Sequence, residues 1–204
     1  MDTALEVNLI RRIAMGDTLR RRANSHGGSE ALVEFIDGER VPTTYATLNQ
    51  RVNRLVRGLR QRGVQQGDRV AILGANTSQM LSALLGCFKG GFVAVPINFS
   101  QNLGDVEYNI EHSGSVAVFF DEALQPLVDE ICAKIDRSFL LISLAGEARG
   151  DVVTFETLLS EQDSGEVEDI IIEDDDLAEI MYTSGTTARP KGVMLSHKNL
   201  FIAT

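Results

Sequence analysis

Cysteine is scarce in this chain, and the two that occur, Cys87 and Cys132, stand in apolar segments without Cys-x-x-Cys or Cys/His spacing. That excludes a disulfide scaffold and a zinc ribbon, and it leaves buried thiols in a reducing compartment as the reading. The amino-terminal stretch lacks an apolar region of signal-peptide length, and no run approaches a membrane span, so a cytoplasmic protein is expected. Basic residues are outnumbered, 19 Lys and Arg against 29 Asp and Glu, for a formal net charge of −10. Nucleic acid is therefore not expected as the main partner, because a phosphate backbone needs a basic face. A small polyphosphate is still allowed, since it needs only a local cationic pocket. No Gly-x-Gly-x-x-Gly and no Walker A pattern occurs, so the common dinucleotide and P-loop sites have no support. No internal repeat is visible.

What is present suits a globular α/β protein. At 204 residues, 44% hydrophobic and 24% charged, the chain can bury one sizeable core. Residues 1–26 are basic and mildly amphipathic, with Leu5, Leu9, Ile13 and Leu19 among Arg11, Arg12, Arg20, Arg21 and Arg22. A solvated helix face is the expected role of these arginines, with a peripheral membrane contact as the alternative. Leu32–Ile36, the Asp37-Gly38 turn and the segment to Thr43 predict a β-hairpin. Tyr45, Leu48, Val52, Leu55 and Leu59 recur at helical spacing over 45–62, with Thr43 or Thr44 as cap and Gly63 as stop. Strands are then expected at 69–73, 92–95, 116–120 and 139–143, alternating with helices at 78–89, 103–112 and 124–135. This alternation predicts a mainly parallel sheet covered by helices on both faces. A short strand at 152–154 and a helical turn at 155–159 precede an acidic stretch. Its Glu173, Asp174, Asp175 and Asp176 do not have the ligand pattern of a calcium loop and read as a solvated approach to the next strand.

The most informative segment is Tyr182-Thr-Ser-Gly-Thr-Thr-Ala-Arg-Pro-Lys-Gly-Val-Met-Leu-Ser-His197, flanked by the strand-like runs 180–182 and 193–195. Thr183, Ser184, Thr186 and Thr187 bring hydroxyls, Gly185 lets a backbone approach an anion, and Lys191 adds a point charge for phosphate oxygens. A loop of this composition between two strands points to a polyphosphate. Arg189 is expected to be solvated. His197 reads as the first residue of a last helix capped by Ser196, since no Asp or Cys is spaced to make it part of a triad.

The order of residues in this loop resembles the signature of the adenylate-forming enzymes: acyl- and aryl-CoA synthetases, luciferases and peptide-synthetase adenylation domains. Ala188 departs from it, standing where the family usually has Gly or Ser. The string Lys89-Gly-Gly-Phe-Val-Ala-Val-Pro96 resembles a second core motif, in which the glycines are expected to let helix and strand pack closely. The tail Gly192-Val-Met-Leu-Ser-His-Lys-Asn-Leu200 and Tyr108-Asn-Ile-Glu-His-Ser-Gly114 are most similar to fatty acyl-CoA synthetases.

The resemblance implies the N-terminal part of an acyl-CoA synthetase-like domain over residues 1–204, with the phosphate loop between its two C-terminal strands. It also implies that Thr183, Ser184, Gly185, Thr186, Thr187 and Lys191 hold the ATP phosphates. The partners implied are Mg-ATP, a fatty or other carboxylic acid, and CoA or a carrier protein. A fatty acyl-AMP ligase, an aryl-CoA ligase and a peptide-synthetase domain stay open, as does a non-catalytic α/β module that binds a nucleotide or partner. The family's catalytic lysine and Mg²⁺ ligand lie in sequence this chain does not contain, so no catalytic residue is assigned and the polypeptide alone is expected to be inactive. Leu200, Phe201 and Ile202 are expected to pack on further chain, and the apolar face left uncovered is a candidate for homodimerisation.

Overall fold

Alternation decides the sheet. In β3 (Arg69–Leu73), Val70 and Ile72 bury on one side while Ala71 and Leu73 bury on the other. In β5 (Ala117–Phe120), Phe119 and Phe120 divide the same way. Strands buried on both faces are what a parallel sheet between two helical layers requires. The computed structural model describes residues 3–147, 149–160, 162–183 and 189–203.

Chain order starts with α1 (Thr3–Arg11), α2 (Met15–His26) and the hairpin β1 (Glu30–Ile36) and β2 (Glu39–Thr44), followed by α3 (Tyr45–Gln61) and β3. Next come α4 (Ser78–Gly90), β4 (Val93–Pro96), α5 (Leu103–Ser113), β5, α6 (Gln125–Lys134) and β6 (Leu140–Ser143). The last part holds β7 (Val153–Thr154), α7 (Phe155–Leu159), β8 (Leu177–Thr183), β9 (Lys191–Ser196) and α8 (His197–Ala203). The main sheet has the strand order β7-β6-β5-β3-β4-β8-β9. Every pairing in it is parallel except β8 with β9, which is antiparallel.

One core lies under α3, α4 and α7, with Leu55, Leu59, Phe88, Phe92, Phe119 and Phe155 buried. The other lies under α5 and α6, with Val106, Ile110, Phe120, Val128 and Ile131. Each such side chain contributes about 1.5–3 kcal/mol on burial. A smaller cluster of Leu19, Leu48 and Val52 sits under the hairpin and α2. Among the described residues no helix is long and apolar enough to cross a membrane.

Local signals act as expected. Thr44 Oγ1 accepts the Thr47 N–H at 3.2 Å and starts α3, an N-cap interaction of about 1 kcal/mol. Asp37 and Gly38 both have positive φ, 51° and 83°, the backbone of the two-residue hairpin turn. In the Lys89-Gly-Gly motif, Gly91 ends α4 in the left-handed conformation at φ 67°. A Cβ on Gly90 would fall 2.4 Å from the Phe92 ring, so these glycines do serve close packing.

Two expectations need correction. The N-terminal arginines are not all solvated: Arg12 is buried, forms an ion pair with Asp17, and donates to the Ile170 carbonyl at 2.6 Å. Arg20 also reaches Asp17, at 3.3 Å. A guanidinium with five donors can serve a carboxylate and a carbonyl together, which is what makes its burial tolerable. The acidic stretch is likewise more than solvated approach. Glu166 meets the buried Lys89, Asp169 receives Arg60 at 2.8 Å, and Asp174 Oδ1 accepts the Ile13 N–H at 2.8 Å. These carboxylates tie the 162–176 segment to the α1–α2 connection, α3 and α4.

Candidate functional site

The candidate loop connects β8 to β9 at the carboxyl edge of the parallel strands, the edge outside which open α/β sheets bind their ligands. The antiparallel register places Thr183 opposite Lys191, Tyr182 opposite Gly192 and Met181 opposite Val193. Thr183 and Lys191 therefore face each other across the mouth of the hairpin, and both are exposed. Ser184, Gly185, Thr186 and Thr187, with Ala188, lie outside the described residues. Lys191 makes no ion pair among the described residues, which leaves its ammonium to act on an anion at the mouth.

Gly192 has a steric reason to follow that lysine. A Cβ there would stand 2.9 Å from Ile180 Cγ2 and 3.3 Å from the Tyr182 ring. The Tyr182 side chain thus lies across the β9 backbone where only glycine leaves room.

Arg189 is exposed but not unaccompanied, because its guanidinium sits 5.1 Å from the centroid of the Tyr108 ring. Tyr108 and His112, one turn apart on α5, complete a ring cluster with Tyr182. The i, i+4 spacing of an aromatic and a histidine on one helix was the available signal for these two residues. Which strand they would meet could not be read without the topology.

His197 is fully buried at the far end of β9, roughly 20 Å of strand from Lys191 at ~3.3 Å per residue. Its Nδ1 accepts the Met15 N–H at 3.3 Å, and its Nε2 has no partner among the described residues. Burial pushes its pKa down from the usual histidine value. It is a packing residue at the start of α8 and takes no part in the loop. Glu179, on β8, is also buried, and burial pushes its pKa up. No three His, Cys, Asp or Glu side chains gather as a metal site among the described residues.

A mainly parallel sheet between helical layers, with a hairpin that carries Thr183 and Lys191 at its carboxyl edge, is an α/β domain of the kind that binds ligands at that edge. The chain belongs to the family of AMP-binding enzymes, whose model matches residues 19–204. It is similar to the feruloyl-CoA synthase of an Amycolatopsis species, 39% identical over 157 residues, covering 77% of this chain and 29% of that protein. It is also similar to the long-chain-fatty-acid–CoA ligase of Thermus thermophilus, 32% identical over 186 residues, covering 91% and 34%. Among solved structures, ATP-bound MatB from Rhodopseudomonas palustris superposes with a TM-score of 0.74 at 28% identity, covering 94% of this chain and 36% of that one. The chain thus spans about a third of the length of these curated relatives.

Proposed function

We propose that this chain is the N-terminal part of an adenylation domain of an acid–thiol ligase, and that its β8–β9 hairpin holds the β- and γ-phosphates of ATP. In the reaction proposed for the whole protein, a carboxylate oxygen attacks the α-phosphorus of ATP. The bond from that phosphorus to the bridging oxygen breaks, and pyrophosphate leaves. A thiol then attacks the acyl carbonyl and AMP departs. The first step develops negative charge on the departing phosphates, so fixed donors and cations supply most of the acceleration. Thr183, Ser184, Gly185, Thr186 and Thr187 would offer hydroxyls and backbone N–H groups, and Lys191 the charge. Mg²⁺ would enter bound to ATP. The cytoplasm is the compartment proposed, where the unpaired Cys87 and Cys132 stay reduced.

The pairing of Thr183 with Lys191 at the hairpin mouth carries this reading. A fatty acid is the acid proposed, with CoA or a carrier protein as acceptor. An aromatic acid is the second reading, supported by 39% identity to the feruloyl-CoA synthase against 32% to the fatty-acid ligase. Hydrogen exchange of the chain with and without Mg-ATP tests the phosphate assignment: protection confined to peptides spanning 183–191 is expected, and unchanged exchange there refutes it. Pyrophosphate exchange tests the reading of this chain as a part. The 204-residue protein should show none with long-chain or hydroxycinnamic acids, and turnover would overturn it.

A further inference from the structure

One face of α5 reaches both arms of the β8–β9 hairpin. Tyr108 and His112 stack with centroids 4.9 Å apart and planes at 27°. His112 Nδ1 and Tyr182 Oη share a hydrogen bond of 2.8 Å. The Tyr108 ring stands edge-on to Tyr182, 6.5 Å away at 80°. From the other arm, the Arg189 guanidinium lies over Tyr108 at 5.1 Å. Tyr182 precedes the 183–188 segment and Arg189 follows it, so a single helix grips the chain on both sides of the loop.

Backbone pairing alone leaves such a mouth poorly specified. Among the described residues the last pair of the ladder is Thr183 with Lys191, and strand ends in a two-stranded ribbon twist widely. Side chains that bracket the loop can remove that freedom. Burial, with Tyr108 second, pushes the Tyr182 phenol up, so it keeps its hydroxyl in the hydrogen bond with His112. Stacking on Tyr108 also keeps the Arg189 charge beside the hairpin, two positions from Lys191.

We propose that Tyr108 and His112 are positioning residues, which set the mouth of the hairpin for the triphosphate end of a nucleotide without touching it. This rests on the reading of the hairpin as the phosphate site. An anchor that acts only through the loop should favour ligands with β- and γ-phosphates and leave AMP unaffected. A purely structural role for α5 would change affinity for both ligands together or for neither.

The test is titration of the ¹⁵N-labelled chain with Mg-ATP and with AMP, following the amides of Thr183 and Lys191. Tyr108→Leu should weaken Mg-ATP by about 2- to 5-fold, and Tyr108→Phe, which keeps the ring, should restore it. Tyr182→Phe removes a single oxygen and should weaken Mg-ATP by about 3-fold, which keeps the test in force if Tyr108→Leu does not fold. AMP affinity should stay constant throughout. If Lys191→Ala weakens Mg-ATP while Tyr182→Phe and Tyr108→Leu match the wild type, the positioning role is wrong and the site stands. If Lys191→Ala changes nothing, or the wild type binds no Mg-ATP, the site reading falls and this inference falls with it.

Discussion

Lys89 offers the sharpest test of how the fold is held. It is 2% exposed in α4, forms an ion pair with Glu166, and donates to Asn49 Oδ1 at 2.8 Å. Asn49 in turn donates to Glu166 Oε2 at 2.9 Å. Burial pushes the lysine's pKa down, and the Glu166 partner pulls it back up. Lys89→Met keeps most of the stem and volume while removing the cation. Breaking a buried pair typically costs about 3–5 kcal/mol, because the remaining charge is left uncompensated. Glu166 is 22% exposed and can recruit water, so we expect about 2–3 kcal/mol. For a domain of this size that is a fall in Tm of about 5–10 °C.

Adding Glu166→Gln removes the stranded charge but keeps an oxygen for Asn49. The double variant Lys89→Met/Glu166→Gln should recover at least half of the loss, since replacing both partners is often nearly neutral. Chemical denaturation of the four proteins gives the cycle. A cost below about 0.5 kcal/mol for Lys89→Met, or a double variant less stable than the single, refutes the reasoning.

Other positions give independent checks. Glu179 is buried with no hydrogen bond to its carboxylate among the described residues, and its raised pKa means that folding favours the protonated form. The chain should therefore lose stability as pH rises above about 4.5, and Glu179→Gln should stabilise it by about 1 kcal/mol at pH 7. An equal effect of that variant at pH 4 and pH 7 would contradict this. His197 has the opposite sign: its folded pKa is lowered by burial. Stability is then full above the unfolded value of about 6.5 and falls as pH drops toward the folded value. In His197→Phe that part of the pH dependence should disappear from denaturation curves. Gly58 packs α3 on α7, where a Cβ would stand 2.3 Å from the Leu158 carbonyl oxygen. Gly58→Ala should cost about 1–3 kcal/mol despite its better helix propensity, and a stabilised variant would show that α7 yields freely.

Much of the fold was legible in the chain. The 69–73 strand, the 45–62 helix with its Thr44 cap and the Asp37-Gly38 turn follow from periodicity and turn chemistry, which act over a few residues. The sheet order was not legible, since nothing local says that β8 lies beside β4. For the same reason the pairing of Lys89 with Glu166 escaped, as did the burial of Arg12 against Asp17 and Ile170. Each depends on which distant segments the topology brings together. The candidate loop was legible from residue order alone. Its flanks at Thr183 and Lys191 face each other, while Arg189 stacks on a tyrosine that composition could not have indicated.

The central claim is that the β8–β9 hairpin binds β- and γ-phosphates. The most direct measurement is the set of dissociation constants of the chain for Mg-ATP, magnesium pyrophosphate and AMP, in wild type and in Lys191→Ala. We predict that ATP and pyrophosphate compete for one site, that AMP binds at least about tenfold more weakly, and that Lys191→Ala abolishes this preference. AMP binding as tightly as ATP, or a preference that survives Lys191→Ala, would contradict the account.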